Sequence, residues 1–207
     1  PQGQTATHSV TVTRTTSGPD PAEVRAEPLS GIAPLTVRFS VRSNTAQAIT
    51  RIDLDADGNG TVDVTATDPN TVLSYTYPTP GVYQARITVT QGSPFTQTLV
   101  VGVNDAQTMD QLFTALWTGM NNALARGDVT TALGYLNESA KRKYQRVFTA
   151  LLLQMPQIIA SYSSLRRVSI SENIGEYAIN RTINGRNKIF LIYFLKDADG
   201  VWRLDAM

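Results

Sequence analysis

Apolar and polar residues alternate strictly from Tyr83 to Thr90. Tyr83, Ala85, Ile87 and Val89 fall on one face, with Gln84, Arg86, Thr88 and Thr90 on the other. A period of two marks a half-buried antiparallel strand, and Pro80 with Gly81 supplies the turn before it. The same period runs through Leu35, Val37, Phe39 and Val41, and through Leu73, Tyr75 and Tyr77. Residues 96–103 read as a closing strand after Gly92-Ser-Pro94. Short strands at regular spacing with turn signals between them predict an all-β sandwich over residues 22–104.

The period then changes. Met109, Leu112, Phe113, Leu116, Trp117, Met120 and Leu124 recur at helical spacing. Thr108 with Gln111 fits a capping box, Gly127 a left-handed stop, and Asp128 the cap of a second helix. A third helix is predicted from about Ser139, with Tyr144, Val147, Phe148, Leu151 and Met155 on one face and Pro156 ending or kinking it. Strands follow over 165–170, 177–183, 188–195 and 201–205, with hairpins at Asn184-Gly185 and Asp199-Gly200. Helices first and antiparallel strands after is an α+β order. Two domains result, a sandwich at 22–104 and an α+β unit at 106–207, which the 207-residue length allows. The join at 103–106 is short and has no Gly/Ser linker, so limited mobility and a direct contact are expected. Residues 1–21 form a leader. A short strand at 8–13 is either the end of a preceding module or an added edge strand, and Asp20-Pro21 favours the first.

Composition narrows the chemistry. Apolar residues make up 42% and charged residues 17%, so both halves can bury a core. There is no cysteine, which removes disulfides, thiol nucleophiles and zinc–thiolate sites. The single histidine, His8, leaves Ser-His and Cys-His hydrolysis without a partner set. A net charge of +1 disfavours nucleic acid or an acidic membrane as partner. From Ala106 onward there are 12 basic and 8 acidic residues, against 6 and 9 before it, which supports the two-part division. No apolar run is long enough to span a bilayer. The chain begins at Pro1 and reads as a mature or excised piece of something longer.

Three segments together resemble the polycystic kidney disease (PKD) repeat, over roughly residues 22–104. They are Gly31-Ile-Ala-Pro34-Leu-Thr-Val37-Arg-Phe39-Ser40, Ile52-Asp-Leu-Asp55-Ala-Asp57-Gly58, and the turn and strand from Pro78 to Thr90. Where the family writes Trp-Asp-Phe-Gly-Asp-Gly, this chain has Ile52-Asp53-Leu54 and then Asp55-Ala56, so the tryptophan is missing and the turn is longer. The resemblance implies an immunoglobulin-like sandwich that binds or spaces in secreted and surface proteins. Residues 106–207 resemble the nuclear-transport-factor-2-like (NTF2-like), or cystatin-like, cone fold. That resemblance rests on Ala125-Arg-Gly127-Asp128, on Ala132-Leu-Gly-Tyr-Leu136, and on Phe190 to Leu195 with Asp199 to Leu204. Relatives of that fold include isomerases and dehydratases that use an Asp, His or Tyr inside the cone.

Asp55-Ala-Asp57-Gly-Asn59-Gly60-Thr-Val62-Asp63 places oxygen-bearing side chains at alternate positions before a glycine. It fits the first nine positions of an EF-hand calcium loop, with Val62 at the hydrophobic position. The candidate calcium ligands are Asp53, Asp55, Asp57, Asn59 and Asp63. Ala66 stands where the bidentate Glu belongs, so Asp53 or Asp68 must complete the shell. The competing reading is a structural turn whose aspartates bond turn amides. In the second half, Tyr135, Tyr162, Tyr177, Tyr193, Asp110, Glu172 and Glu176 are the groups available for chemistry. They form no site pattern, and residues 172–176 read as a hairpin tip. Lys141, Arg142, Lys143 and Arg146 form the one basic cluster, a solvated face or a contact for lipid headgroups or acidic glycan. Asn137-Glu-Ser139 and Asn180-Arg-Thr182 match the glycosylation sequon.

The functional expectation is a non-catalytic binding or spacing segment of a larger secreted, cell-surface or periplasmic bacterial protein. It would act in adhesion through a protein or glycan partner, with calcium as the only cofactor. The alternative is a small-ligand-binding or isomerase/dehydratase-type cone carried by a PKD module. A pocket in the second half separates the two.

Overall fold

The computed structural model describes residues 19–207. The strand expected at 8–13, and His8 with it, lies outside the described residues. The chain is mostly β, with a helical segment before a C-terminal sheet.

Two sheets form the first part. Strands β1 (Ala22–Glu27), β3 (Leu35–Ser43) and β6 (Leu73–Tyr77) pair in the order β1-β3-β6. The second sheet has the order β2-β8-β7-β4-β5, from β2 (Ser30–Ile32), β4 (Arg51–Asp55), β5 (Val64–Ala66), β7 (Gly81–Gln91) and β8 (Ser93–Asn104). Among the described strands of these two sheets, only β2 and β8 pair in parallel. The alternating positions meet between the sheets: Val37, Phe39, Leu73 and Tyr77 from one, and Ile52, Leu54, Ile87, Val89 and Val101 from the other, all fully buried. Strand β8 starts three residues before its predicted place because Gly92, at φ +78, turns the chain directly back onto β7.

The second part has its own core, which shares no residue with the first. Helices α1 (Ala106–Ala125), α2 (Val129–Gly134), α3 (Glu138–Leu151) and α4 (Met155–Ala160) precede the strands. Strands β9 (Arg166–Ile170), β10 (Ile174–Ile183), β11 (Arg186–Lys196) and β12 (Trp202–Ala206) make an antiparallel sheet in the order β12-β11-β10-β9. Phe113 of α1 sits at its centre, with ring centroids 5.2 Å from Tyr177, 4.6 Å from Phe194 and 5.0 Å from Trp202. Register shifts at Glu176/Tyr177 and Tyr193/Phe194 bend the sheet. No helix among the described residues is long and apolar enough to cross a membrane.

Local chemistry explains where the observed elements depart from the pattern. Helix α1 starts earlier than the Thr108–Gln111 box implied. Asp105 is its cap, accepting from the Thr108 backbone N–H at 2.7 Å and from Thr108 Oγ1 at 2.8 Å. A carboxylate that takes two donors at once outcompetes a hydroxyl at this position. Pro156 does not end α3. That helix stops at Leu151, a single 3-10 turn follows, and Pro156 lies in the first turn of α4, where its missing N–H costs nothing. The hairpin at Asn184-Gly185 forms as expected, with φ of 52° and 72°. The tip between β9 and β10 is shorter than expected, since Gly175 and Glu176 already pair in β10. Asp105 alone separates β8 from α1, and Ser30 Oγ lies 3.5 Å from the Glu172 carbonyl oxygen.

Candidate functional site

The acidic turn joins β4 to β5. Strand β4 points Ile52 and Leu54 into the core, so Asp53 faces outward. There it bonds Arg51 Nε at 2.8 Å and the Thr65 hydroxyl at 2.7 Å. Asp53 is therefore not part of the cluster. Asp68 is not either: its carboxylate accepts from the Asn70 backbone N–H at 2.9 Å. Asp55, Asp57 and Asp63 do converge, with one carboxylate oxygen of each within 4.8 Å of the others. Most of their oxygens already serve the turn. Asp55 accepts from the Gly58 and Gly60 N–H groups at 2.8 and 2.9 Å, and Asp63 from Ala56 N–H at 2.7 Å. Asn59 Oδ1 accepts from Thr61 N–H at 2.7 Å. Val62, which an EF-hand loop would pack inward, is exposed. Gly58 is required twice over: its φ is +76, and a Cβ there would lie 2.6 Å from the Gln84 carbonyl oxygen. Tyr77 Oη donates to the Ala56 carbonyl at 2.8 Å and ties the turn to the core. Burial, with Asp63 and Asp57 nearby, holds that phenol well above its usual pKa.

The second candidate is a cavity of about 210 Å³ in the C-terminal part. It lies between α1, α3 and α4 on one side and the inner face of β10 and β11 on the other. Trp117, Met120, Leu124, Phe148, Met155, Ile179 and Ile192 give it an apolar wall. Asn121, Tyr162 and Arg181 also line it. Tyr144 lines it too, but its hydroxyl is occupied by the backbone of Met207 at 2.6 and 2.8 Å. Tyr162 stacks obliquely on Trp117, ring centroids 5.6 Å apart, and burial pushes its phenol up. Arg181 Nε is buried with no hydrogen-bond partner among the described residues.

Of the groups that the sequence offered for chemistry, Tyr162 reaches this cavity. Tyr177 is buried elsewhere in the core, donating to Asp110 at 2.6 Å, with Arg167 3.4 Å from the same carboxylate. Tyr193 pairs with Glu176 at 3.2 Å, and Glu172 sits at the β9–β10 tip. Tyr135 packs beside Gly119, where a Cβ would lie 2.5 Å from its hydroxyl oxygen. Asn121 and Arg181 were not among the sequence candidates. Their signal was present: Asn121 interrupts the apolar stripe between Trp117 and Leu124, and Arg181 continues the inward row of Tyr177 and Ile179. The basic cluster lies on α3, where Lys141 pairs with Glu138 and Lys143 caps the Tyr144 ring at 4.9 Å. Asn137 is a buried helix cap donating to Asp205 at 2.7 Å, so its sequon is inaccessible, while Asn180 is exposed.

No protein-family model matches the chain, and no curated protein matches it. Among solved structures, it is similar to the PKD domain of the human VPS10 domain-containing receptor SorCS2. The two share 16% sequence identity over 51% of this chain and 97% of that one, with a TM-score of 0.34.

Proposed function

We propose that this is a non-catalytic binding protein whose residues 106–207 hold a small, mainly apolar molecule in the cavity between the helices and the sheet. Residues 22–104 act as a PKD-like spacer sandwich. The carrying observation is the cavity itself: an apolar wall with a few convergent polar groups is the common form of a small-molecule site. Among the described residues its lining includes no aspartate, glutamate, histidine or lysine, the Tyr144 hydroxyl is taken by the backbone, and burial keeps the Tyr162 phenol protonated, so it offers binding surface and donors rather than a general base. This reading joins the spacer expectation to the ligand-binding alternative and keeps an NTF2-like cone for the second unit. The proposed setting is extracytoplasmic, such as the surface of a bacterium, from the resemblance of residues 22–104 to a surface spacer module, and a sandwich of this size folds there without disulfides.

Trp117 provides the test. Both tryptophans of the chain belong to the second core, so Trp202→Phe leaves Trp117 as the single reporter at the cavity wall. Titration with 1-octanol is expected to change Trp117 emission saturably. Ile158→Trp, which adds bulk at the half-exposed rim, is expected to weaken 1-octanol binding at least tenfold in a ligand-detected NMR titration. A linear, unsaturable response in the parent protein would remove the proposal.

The acidic turn carries a second reading, in which Asp55, Asp57 and Asp63 hold calcium in place of the five residues the sequence offered. Three carboxylates within 4.8 Å suit a hard cation. Such an ion would steady the β4–β5 turn for a protein or glycan partner on the sandwich. The expected result is a melting temperature that rises with added calcium, as binding to the folded state alone requires. Asp57→Ala should abolish that rise.

A further inference from the structure

The cavity wall contains a charge that nothing among the described residues neutralises. Arg181 lies on the inner face of β10, where Tyr177 and Ile179 are core residues. Its Nε is buried without a partner, and it forms no ion pair or side-chain hydrogen bond among the described residues. The residue as a whole is half-buried, and desolvating even part of a guanidinium without compensation is costly. Lys188 stands directly opposite Arg181 in the β10–β11 register, hence on the same face. Like charges facing each other across a strand pair destabilise it, and an anion between them reverses that sign. Asn121 is 6% exposed, lines the same cavity, and its carboxamide bonds nothing among the described residues. Tyr162 adds a phenol that burial keeps protonated, with Arg181 opposing the shift, so it is available as a donor.

We propose that the cavity takes a monocarboxylate with a compact apolar body, its carboxylate held by the Arg181 fork with Asn121 and Tyr162 as neutral donors and its body against Trp117, Met120 and Ile192. The planar guanidinium matches a carboxylate in bidentate geometry. Among the described residues Arg181 is the one cation in the lining, and a single cation calls for a single negative charge. The volume, about seven water molecules' share of the liquid, admits a short chain or one ring rather than a long-chain lipid. This inference rests on the ligand-binding reading above.

Octanoate, 1-octanol and octylammonium separate the possibilities, titrated by ligand-detected NMR against the full chain and its Arg181→Met variant. Octanoate should bind at least tenfold more tightly than 1-octanol to the parent protein. Arg181→Met should lower octanoate affinity at least tenfold while leaving 1-octanol within about twofold. Equal affinity for octanoate and 1-octanol, no loss in Arg181→Met, or a preference for octylammonium would overturn the carboxylate assignment and leave the apolar pocket standing. Failure of all three probes would overturn both readings. A second measurement needs no variant. Octanoate should shift the Arg181 Nε–Hε resonance of the parent protein and 1-octanol should not; an unmoved resonance at saturating octanoate would also overturn the assignment.

Discussion

Replacing Phe113 by alanine is expected to remove about 3–5 kcal/mol of stability, and to remove it from residues 106–207 alone. Phe113 is fully buried, and its ring touches Tyr177, Phe194 and Trp202 together. The packing is close enough that a Cβ on Gly175 would meet the Phe113 ring at 2.9 Å. A void at that point has no flexible neighbour to fill it, since the surrounding rings are locked against one another. A domain of ordinary stability has about 5–15 kcal/mol in total, so the variant should melt far below its parent. Tryptophan fluorescence follows the second core, because Trp117 and Trp202 both belong to it, whereas far-UV circular dichroism also follows the sandwich. The two signals should separate in Phe113→Ala, the fluorescence transition moving to lower urea and part of the β signal staying in place. A single coincident transition would show that residues 22–104 and 106–207 unfold as one cooperative unit, and the two-domain reading would fall.

What could be read from the sequence follows from how each feature is encoded. Strand faces were legible because burial imposes a period of two, and Leu35, Val37 and Phe39 carry it without interruption. The stripe of α1 was legible for the corresponding reason at helical period. Its start was not, because Thr108 and Asp105 are both good caps and only the path of the chain out of β8 decides between them. The acidic turn was legible as a cluster but not in its membership. Asp53 and Asp55 are two apart, as ligand spacing asks, yet Asp53 is still within the regular strand and is carried to its outer face, while Asp55 is the last residue before the chain turns. The cavity was the least legible part. It depends on three helices and two strands enclosing a space, and residue order does not specify how far apart those surfaces stand. Only the misplaced polar residues, Asn121 in an apolar stripe and Arg181 on an inward strand face, pointed to it.

Asp55→Ala is expected to cost about 2–3 kcal/mol even with all calcium removed. Asp55 is the one buried carboxylate of the turn, and its two oxygens satisfy the Gly58 and Gly60 N–H groups at 2.8 and 2.9 Å. Alanine leaves both donors without their acceptor in a turn that Gly58 makes at φ +76 close against the Gln84 backbone. Asp57 is half-buried and accepts only from Asn59, its N–H at 3.1 Å and its Nδ2 at 2.9 Å, so Asp57→Ala should cost less, about 1 kcal/mol under the same conditions. Urea denaturation in a chelator measures both. Adding calcium then divides the two roles of the turn. If the three carboxylates hold the ion, the parent protein gains stability with calcium and both variants lose that gain, Asp55→Ala on top of its intrinsic loss. If the carboxylates serve only the backbone, the parent shows no response to calcium and Asp55→Ala still loses its 2–3 kcal/mol. A variant with parental stability in the chelator would contradict the hydrogen-bonding role itself, and with it the account of why an aspartate ends β4.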